Sequence, residues 1–287
     1  MFIGRVVGTV TDEPIAAASV SIGGSRFTTD ESGRFEGPVQ DAGVQSVFVS
    51  GENIVNRVTY VNMGAAADIT LDVIQERPPF DLGFFRKFVR NGYDAPDVLI
   101  PIRRLTEPPK IYIKTVDEAG TPINDATLQT TANVMREVAA TWAGGRFGID
   151  VIEFGAETRV GSAGWVTVIW PNPAEDGICG RAPVGTTGGS IRLNYLANCN
   201  PCGGASRIQA RTVRHELGHI FGYWHTGDLA DVMGGLPTPR NACDQHPSSR
   251  EILHARYSYS RPYGNAEPDS DPPTSVRQQH SQIYVVD

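Results

Sequence analysis

The chain has 287 residues, of which 40% are hydrophobic and 20% are charged, so it can bury two modest cores in one to two domains. Its formal net charge of −7 and its pI near 5.4 argue against a nucleic-acid binder and against a polybasic membrane-surface protein. No stretch approaches an apolar transmembrane span, and no signal peptide precedes the strand-like pattern that begins at Met1. These features leave two interpretations, a cytosolic protein or an exported protein without its leader.

Residues 1–75 consist of short apolar stretches separated by Gly, Asp and Ser turns. Such regular short strands predict an antiparallel β-sandwich. The predicted strands are Gly4–Thr11, Ala18–Gly23, Gly33–Phe35, Ser46–Ser50, Val58–Asn62 and Asp68–Ile74.

Two segments of this region, Gly8–Asp12 and Thr28–Phe35 (TTDESGRF), resemble the carboxypeptidase regulatory-like domain, a small Ig-like or transthyretin-like module. The resemblance covers roughly residues 1–75 and implies no catalysis. It leaves two roles open, because a fold does not settle a function. The domain is either a spacer, or it recognises a protein or surface ligand or assists folding.

Residues 76–109 are predicted to be a linker, because proline pairs stand near both ends at Pro78-Pro79 and Pro108-Pro109. Within it, Phe84–Val89 has apolar residues at helical spacing and predicts a short helix packed against one domain. A second domain then covers residues 110–263. Residues 264–287 are a tail, with Gly264–Thr274 predicted to be flexible and Ile283–Val286 a candidate for a terminal strand.

The second domain alternates predicted strands and helices, which indicates α/β architecture with a mixed sheet. Asn124 or Asp125 caps the first helix, and Ser248 with Glu251 forms a capping box at the last one. The predicted elements are strand Lys110–Val116, a helix ending at Trp142, strands Ile149–Phe154, Trp165–Trp170 and Ser190–Asn194, and helices Ser206–Phe221 and Ile252–Tyr259.

All the cysteines, Cys179, Cys199, Cys202 and Cys243, lie in this second domain. An even number of clustered cysteines predicts two disulfides and a secreted or extracytoplasmic protein, with three pairings possible. The Cys199-Asn-Pro-Cys202 pair also fits half of a structural metal site or a redox motif, although the βαβ setting of a redox motif is missing.

The segment His215–His225 (HELGHIFGYWH) predicts a metal site. On a helix, His215 and His219 project from one face and can bind one ion, while Glu216 lies beside the vacant position. Gly222 can adopt the left-handed conformation that ends a helix and lets His225 return as a third ligand. This pattern predicts one catalytic Zn²⁺, with Glu216 as the general base in hydrolysis of a peptide bond.

The pattern HExxHxxGxxH resembles the metzincin clan of metallopeptidases, and Met233 in Asp231–Gly235 matches the clan's methionine-containing turn. The short connection from His225 to Met233 is similar to that of matrixins. Gly235 stands where astacins have a zinc-reaching tyrosine, so that ligand is not carried over. The resemblance implies a metzincin-like catalytic domain and a protein or peptide substrate.

The resemblance also implies where a substrate binds. The strand Gly188–Tyr195, with Ile191 and Leu193, would lie at the sheet edge and hold a peptide by β-augmentation, or it is an ordinary structural strand. Arg211, one turn before His215, would make the pocket after the scissile bond shallow, or it points into solvent. The residues predicted to form the opposite wall of that pocket are Leu236 and Pro237.

The sequence leaves two other functions open. One is a non-enzymatic surface or adhesion protein with a structural zinc, which would not need Glu216 and would prefer a fourth protein ligand. The other is a peptidase kept latent by its N-terminal domain or its C-terminal tail. Calcium is common in matrixins, but no EF-hand-like acidic run supports a calcium site here.

Overall fold

The computed structural model describes residues 2–38, 43–63, 68–173, 175, 178–195, 199–235, 242–273 and 284–286. The chain forms two compact units. Unit 1 comprises Met1–Gly83, Ile100–Ile102 and Ser260–Gln278, and unit 2 comprises Phe84–Leu99, Arg103–Tyr259 and Gln279–Asp287. In the described parts of the chain, no helix is both long enough and apolar enough to cross a membrane.

The described residues of unit 1 form two β-sheets, with strand orders β4-β1-β7 and β3-β2-β5-β6. Alternating apolar residues such as Val20, Val49 and Leu71 are buried in one cluster to which both sheets contribute. The strands are β1 Phe2–Gly8, β2 Ser19–Ile22, β3 Ser25–Thr28, β4 Arg34–Gly37, β5 Val44–Ser50, β6 Arg57–Asn62 and β7 Asp68–Val73.

The expected all-antiparallel arrangement is wrong at one pair of strands. β1 and β7 are parallel, with Val6 opposite Leu71, whereas β4 pairs with β1 in the antiparallel sense. Only strands joined by a tight turn must be antiparallel, and the other strands of unit 1 separate β1 from β7 along the chain. Unit 1 therefore has one mixed sheet and one antiparallel sheet.

The segment 264–273, which its polar composition predicted to be flexible, is held in unit 1 by ion pairs. The guanidinium of Arg261, which is buried, contacts both carboxylate oxygens of Asp269 at 2.7 Å. Arg57 Nη2 lies 2.9 Å from Asp271 Oδ2. The acidic residues of this segment are therefore partners of buried arginines, which composition alone does not reveal.

Unit 2 contains a mixed sheet in the order β13-β11-β12-β10-β8-β9. The strands from β12 to β9 are parallel, and β11 is antiparallel to both of its neighbours. The elements from residue 82 onward are α1 Leu82–Arg90, β8 Lys110–Lys114, α2 Asp125–Trp142, β9 Val151–Gly155, β10 Trp165–Ile169, β11 Gly180–Pro183, β12 Ser190–Leu193, α3 Ala210–Phe221, α4 Ser249–Tyr259 and β13 Tyr284–Val286.

The strand predicted as the sheet edge, within Gly188–Tyr195, lies inside the sheet. β12 pairs with β10 on one side and with β11 on the other, and the side chains of Ile191 and Leu193 are fully buried. The cause is β11, a strand of four residues that contains a glycine and a proline and therefore shows no strand-like pattern. The β12 backbone is thus not available to a peptide, and the edge prediction is wrong.

Candidate metal centre

Helix α3 ends at a glycine that no other residue can replace without strain. Gly222 has φ of 109° and its N–H donates to the carbonyls of Gly218 and His219, which closes the last turn. A Cβ atom on Gly222 would lie 1.6 Å from the backbone oxygen of Arg103. The chain can leave α3 in this direction only because the residue is glycine.

Three buried histidines come together here, two from α3 and one from the chain after Gly222. One ligand nitrogen from each of His215, His219 and His225 lies within 4.8 Å of the other two. The ring centroid of His215 lies 4.7 Å from that of His219 and 5.4 Å from that of His225, and the centroids of His219 and His225 are 5.2 Å apart. The predicted ligands are therefore brought together, and they could hold a metal ion.

Backbone carbonyls fix the tautomers of the two histidines on α3. Nδ1 of His215 is 2.7 Å from the oxygen of Val232, and Nδ1 of His219 is 2.7 Å from the oxygen of Tyr223. A carbonyl can only accept, so each neutral ring carries its proton on Nδ1 and has a lone pair on Nε2. The two Nε2 atoms face each other at 3.0 Å, and a cation between them would relieve the repulsion of their lone pairs. Three imidazoles are also a donor set that suits zinc.

The loop that carries His225 is held by α1, which lies in the predicted linker. The ring of Tyr223 stacks on Phe88 with centroids 4.2 Å apart, and its hydroxyl donates to the carbonyl of Trp142. The N–H of Trp224 donates to the carbonyl of Phe88 at 2.8 Å. The apolar residues of the helix in the predicted linker thus position the loop that carries the third histidine.

The same segment supplies a carboxylate that the sequence did not single out. Asp94 Oδ2 lies 3.2 Å from Nδ1 of His225. A carboxylate at this nitrogen orients the ring and makes the opposite nitrogen a better ligand, as in many metal sites. Nothing in the sequence marks Asp94, because it lies far from the histidine motif and no regular spacing relates it to His225.

Glu216 is almost completely buried on α3, next to His215 in the sequence. Its carboxylate lies against the backbone of β11, since a Cβ atom on Gly180 would be 2.3 Å from Glu216 Oε1. The glycine therefore leaves room for the carboxylate between α3 and β11. Gly185 continues this contact, as its N–H donates to the carbonyl of His219 at 2.8 Å.

Met233 is fully buried and packs against α3. A Cβ atom on Gly218 would be 2.5 Å from Met233 Sδ and 3.4 Å from the ring of Trp142. Gly218, between the first two histidines, thus lets the methionine and the tryptophan of α2 approach the helix closely. Met233 therefore takes a packing position against the helix that carries His215 and His219.

Glu251, the capping-box residue of α4, also binds the turn that contains Met233. Its carboxylate accepts from the N–H groups of Val232, Met233 and Ser248 at 3.2, 2.8 and 2.7 Å. Burial, followed by the nearby charge of Asp231, raises the pKa of Glu251 to about 7, while the three amides oppose this shift. One side chain therefore caps a helix and fixes the turn whose carbonyl orients His215.

The predicted disulfides are present, and the structure selects one of the three pairings. Cys179 pairs with Cys199 at a Cα separation of 5.2 Å, and Cys202 pairs with Cys243 at 6.2 Å. Cys179 directly precedes β11. The carbonyl of Cys243 accepts from the N–H of Arg211 at 2.9 Å. The Cys202–Cys243 bridge therefore joins the chain before α3 to the chain after it, whereas both cysteines of the other bridge precede α3.

The residues predicted to shape a specificity pocket are only partly described. Arg211 is buried, so the solvent-facing alternative is wrong; its Nε lies 3.0 Å from Gln245 Oε1 and its Nη2 is 3.4 Å from the carbonyl of Asp231. Leu236 and Pro237 lie outside the described residues. The role of Arg211 in a pocket stays a prediction.

No protein-family model matches the chain, and no curated protein matches it. A solved type II cohesin–X-dockerin complex from Acetivibrio cellulolyticus aligns with 25% of this chain at 30% identity and a TM-score of 0.19, and this chain spans about half (50%) of that one. Metalloproteinase-II from Bacteroides fragilis aligns over 90% of this chain and 85% of its own, at 10% identity and a TM-score of 0.34. TM-scores this low do not establish a shared fold, so the interpretation of the site depends on its own geometry.

Proposed function

We propose that the chain is a zinc-dependent endopeptidase of the metzincin type. The observation that carries the proposal is the pair of Nε2 atoms of His215 and His219, 3.0 Å apart, whose Nδ1 atoms are both engaged by carbonyls. The buried side chain of His225 completes a set of three ligands. The left-handed Gly222 and the packing of Met233 against Gly218 support the metzincin assignment.

Glu216 is the proposed general base. A zinc ion, when bound, supplies Lewis acidity that polarises a carbonyl group and makes water nucleophilic near neutral pH. The Glu216 carboxylate, held between α3 and Gly180, would accept the proton of the attacking water and deliver it to the leaving amine. His215, His219 and His225 would hold the metal, and Asp94 would orient His225.

The substrate edge is reassigned from β12 to β11. Gly180 of β11 lies against the carboxylate of Glu216. In the strand order of the sheet, β11 follows β12 on the side away from β10. An extended peptide that pairs with the outer edge of β11 would therefore run along the backbone next to the proposed base. Main-chain pairing of this kind accepts varied sequences, which suits an endopeptidase.

We also propose that the protein works in an oxidising compartment outside the cytosol. The bridges Cys179–Cys199 and Cys202–Cys243 support this assignment, because disulfides persist mainly in exported proteins.

The test compares wild type with Glu216→Ala for zinc content and for cleavage of casein or gelatin. We expect about one zinc per chain in both proteins and cleavage by the wild type alone, with a loss of at least about a hundredfold in the variant. Glu157→Ala, which changes an exposed glutamate of the same unit, is the matched control and should cleave like wild type.

Each other outcome has a definite meaning. Cleavage that survives in Glu216→Ala would contradict the role of the glutamate. Bound zinc without cleavage in either protein would favour a protein with a structural metal or a peptidase kept latent by its flanking segments, and removal of β13 separates these two alternatives. Among the described residues the cluster contains three histidines and no fourth His, Cys, Asp or Glu, which supports a catalytic site because a closed structural site prefers four protein ligands.

A further inference from the structure

The edge of β11 that we assign to substrate carries a strand of the chain itself. β13 pairs with β11 in the antiparallel sense, with Tyr284 opposite Pro183 and Val286 opposite Arg181. Among the described strands β13 is the outermost of this sheet, so β11 would be the edge strand without it. An edge strand exposes a row of backbone donors and acceptors that another extended segment can pair with.

The register leads β13 toward the proposed base. Residue numbers rise along β13 as they fall along β11, and the residue after Arg181 in this direction is Gly180. Gly180 is the position whose Cβ atom would meet the carboxylate of Glu216. The antiparallel register thus directs the C-terminal end of β13, Val286, along β11 toward the residue beside Glu216.

We propose that β13 is an autoinhibitory strand, which occupies the edge of β11 and must be displaced before a substrate peptide can pair there. This inference rests on the proposed peptidase function and names the regulation of that same site. It selects the last strand, rather than the N-terminal domain, as the segment that keeps the site closed.

The pairing is short enough to be reversible. Only Tyr284, Val285 and Val286 of β13 have partners in β11. A three-residue pairing is weak by itself, but a segment of the same chain acts at an effective concentration on the order of millimolar. A longer substrate strand, or a partner that binds the segment, can therefore replace it.

The first experiment measures binding, so it does not depend on activity. A fluorescent synthetic peptide of residues 279–287 is titrated by anisotropy against residues 1–273 and against the full chain, both carrying Glu216→Ala to prevent cleavage. We expect the shortened chain to bind the peptide at least about tenfold more tightly than the full chain does. A peptide of the same composition in scrambled order is the control. The cut after residue 273 retains Asp269 and Asp271, the partners of Arg261 and Arg57.

The second experiment keeps the chain at full length. The double variant Val285→Pro, Val286→Pro removes two consecutive amides, and in an antiparallel pair one of any two consecutive residues directs its amide to the neighbouring strand. We expect this variant and the shortened chain to raise kcat/KM for a peptide substrate by at least about threefold, mainly through a lower KM. The free 279–287 peptide should inhibit both competitively.

Equal peptide affinity for the full and shortened chains would overturn the proposal, and so would unchanged kcat/KM in both activated variants. If the shortened chain does not fold, the proline variant decides the question by the same anisotropy measurement. If no protein cleaves any substrate, the peptidase function fails, but the binding experiment still decides whether β13 covers the edge of β11.

Discussion

At the scale of single residues, the three histidines differ in the group that contacts their Nδ1 atoms. His215 and His219 are oriented by the carbonyls of Val232 and Tyr223, which no substitution of those side chains removes. His225 is oriented by a side chain, Asp94. The third ligand is therefore the one whose orientation a point mutation can test.

We predict that Asp94→Ala weakens zinc binding about 10- to 100-fold, because His225 loses the carboxylate beside Nδ1. Asp94→Asn, which keeps an acceptor oxygen but not the charge, should have a smaller effect. The measurement is a competition titration with a chromophoric zinc chelator. Asp97→Ala, an exposed residue of the same segment, is the control. An Asp94→Ala protein with wild-type affinity would show that the contact at 3.2 Å has no role in metal binding.

The sequence could predict the histidines but not their partners, for a physical reason. Two ligands of one metal ion on the same helix must lie on one face, so the interval of four residues between His215 and His219 identifies them in the sequence. Asp94 and Phe88 act from another part of the chain, and long-range contacts leave no period in a single sequence. Gly218 could be predicted only in part. A glycine inside a helix indicates close packing, but the sequence does not identify the side chains that pack against it.

At the scale of elements, the end of α3 sets the position of His225. Gly222 combines a positive φ with a close approach of the Arg103 carbonyl, so two separate constraints act on one residue. Gly145, after α2, has a positive φ of 86° and no atom within 4 Å of an added Cβ. The two glycines therefore separate the cost of backbone conformation from the cost of the contact.

We predict that Gly145→Ala destabilises the protein by about 1–2 kcal/mol, the cost of a left-handed conformation for a residue with a Cβ atom. Gly222→Ala should cost clearly more and should also weaken zinc binding, because the chain must move away from Arg103 and carry His225 with it. Urea unfolding and the zinc titration measure the two effects. Equal destabilisation by both substitutions would mean that the backbone near Arg103 yields without cost.

Elements with strong local signals were predictable, and elements without them were not. For α2, the sequence predicts the N-cap at Asn124 or Asp125, and in the structure Asn124 Oδ1 accepts from the N–H of Thr127 at 2.8 Å. β11 has four residues, Gly180–Pro183, and gives no alternation to detect. Without β11, the interior strand β12 has the position of an edge strand in the predicted sheet. Short strands are defined by their neighbours, so a sheet order cannot be read from one sequence where such a strand occurs.

At the scale of the whole molecule, the chain returns to unit 1 after it has formed most of unit 2. Residues 260–273 enter unit 1 through Arg261, whose guanidinium is buried and contacts Asp269 and Asp72. Asp72 also accepts from the hydroxyl of Thr9 at 2.6 Å. The ion pair of Asp72 in β7 with Arg261 in residues 260–273 thus joins parts of unit 1 that are distant in the sequence.

This network predicts how the stability of unit 1 depends on pH. Burial raises the pKa of Asp72, but the charges of Arg261 and then Arg57 outweigh burial and lower it from 3.8 to about 2. A carboxylate whose pKa is lower in the folded state stabilises that state above its unfolded pKa. That contribution is lost as the pH falls from about 4 toward 2. The shift corresponds to about 2 kcal/mol at most, and the side chain is 34% exposed, so we expect about 1 kcal/mol.

We therefore predict that Asp72→Asn lowers the melting temperature of unit 1 by about 5 °C at pH 7, and that the difference from wild type shrinks as the pH approaches 2. Calorimetric scans of both proteins between pH 2 and pH 7 measure it. Asp68→Asn, an exposed position on the same strand, should melt like wild type throughout. A constant difference between Asp72→Asn and wild type across this range would show that the lost interaction is not the charge of Asp72 but the shape of its contact with Thr9 and Arg261.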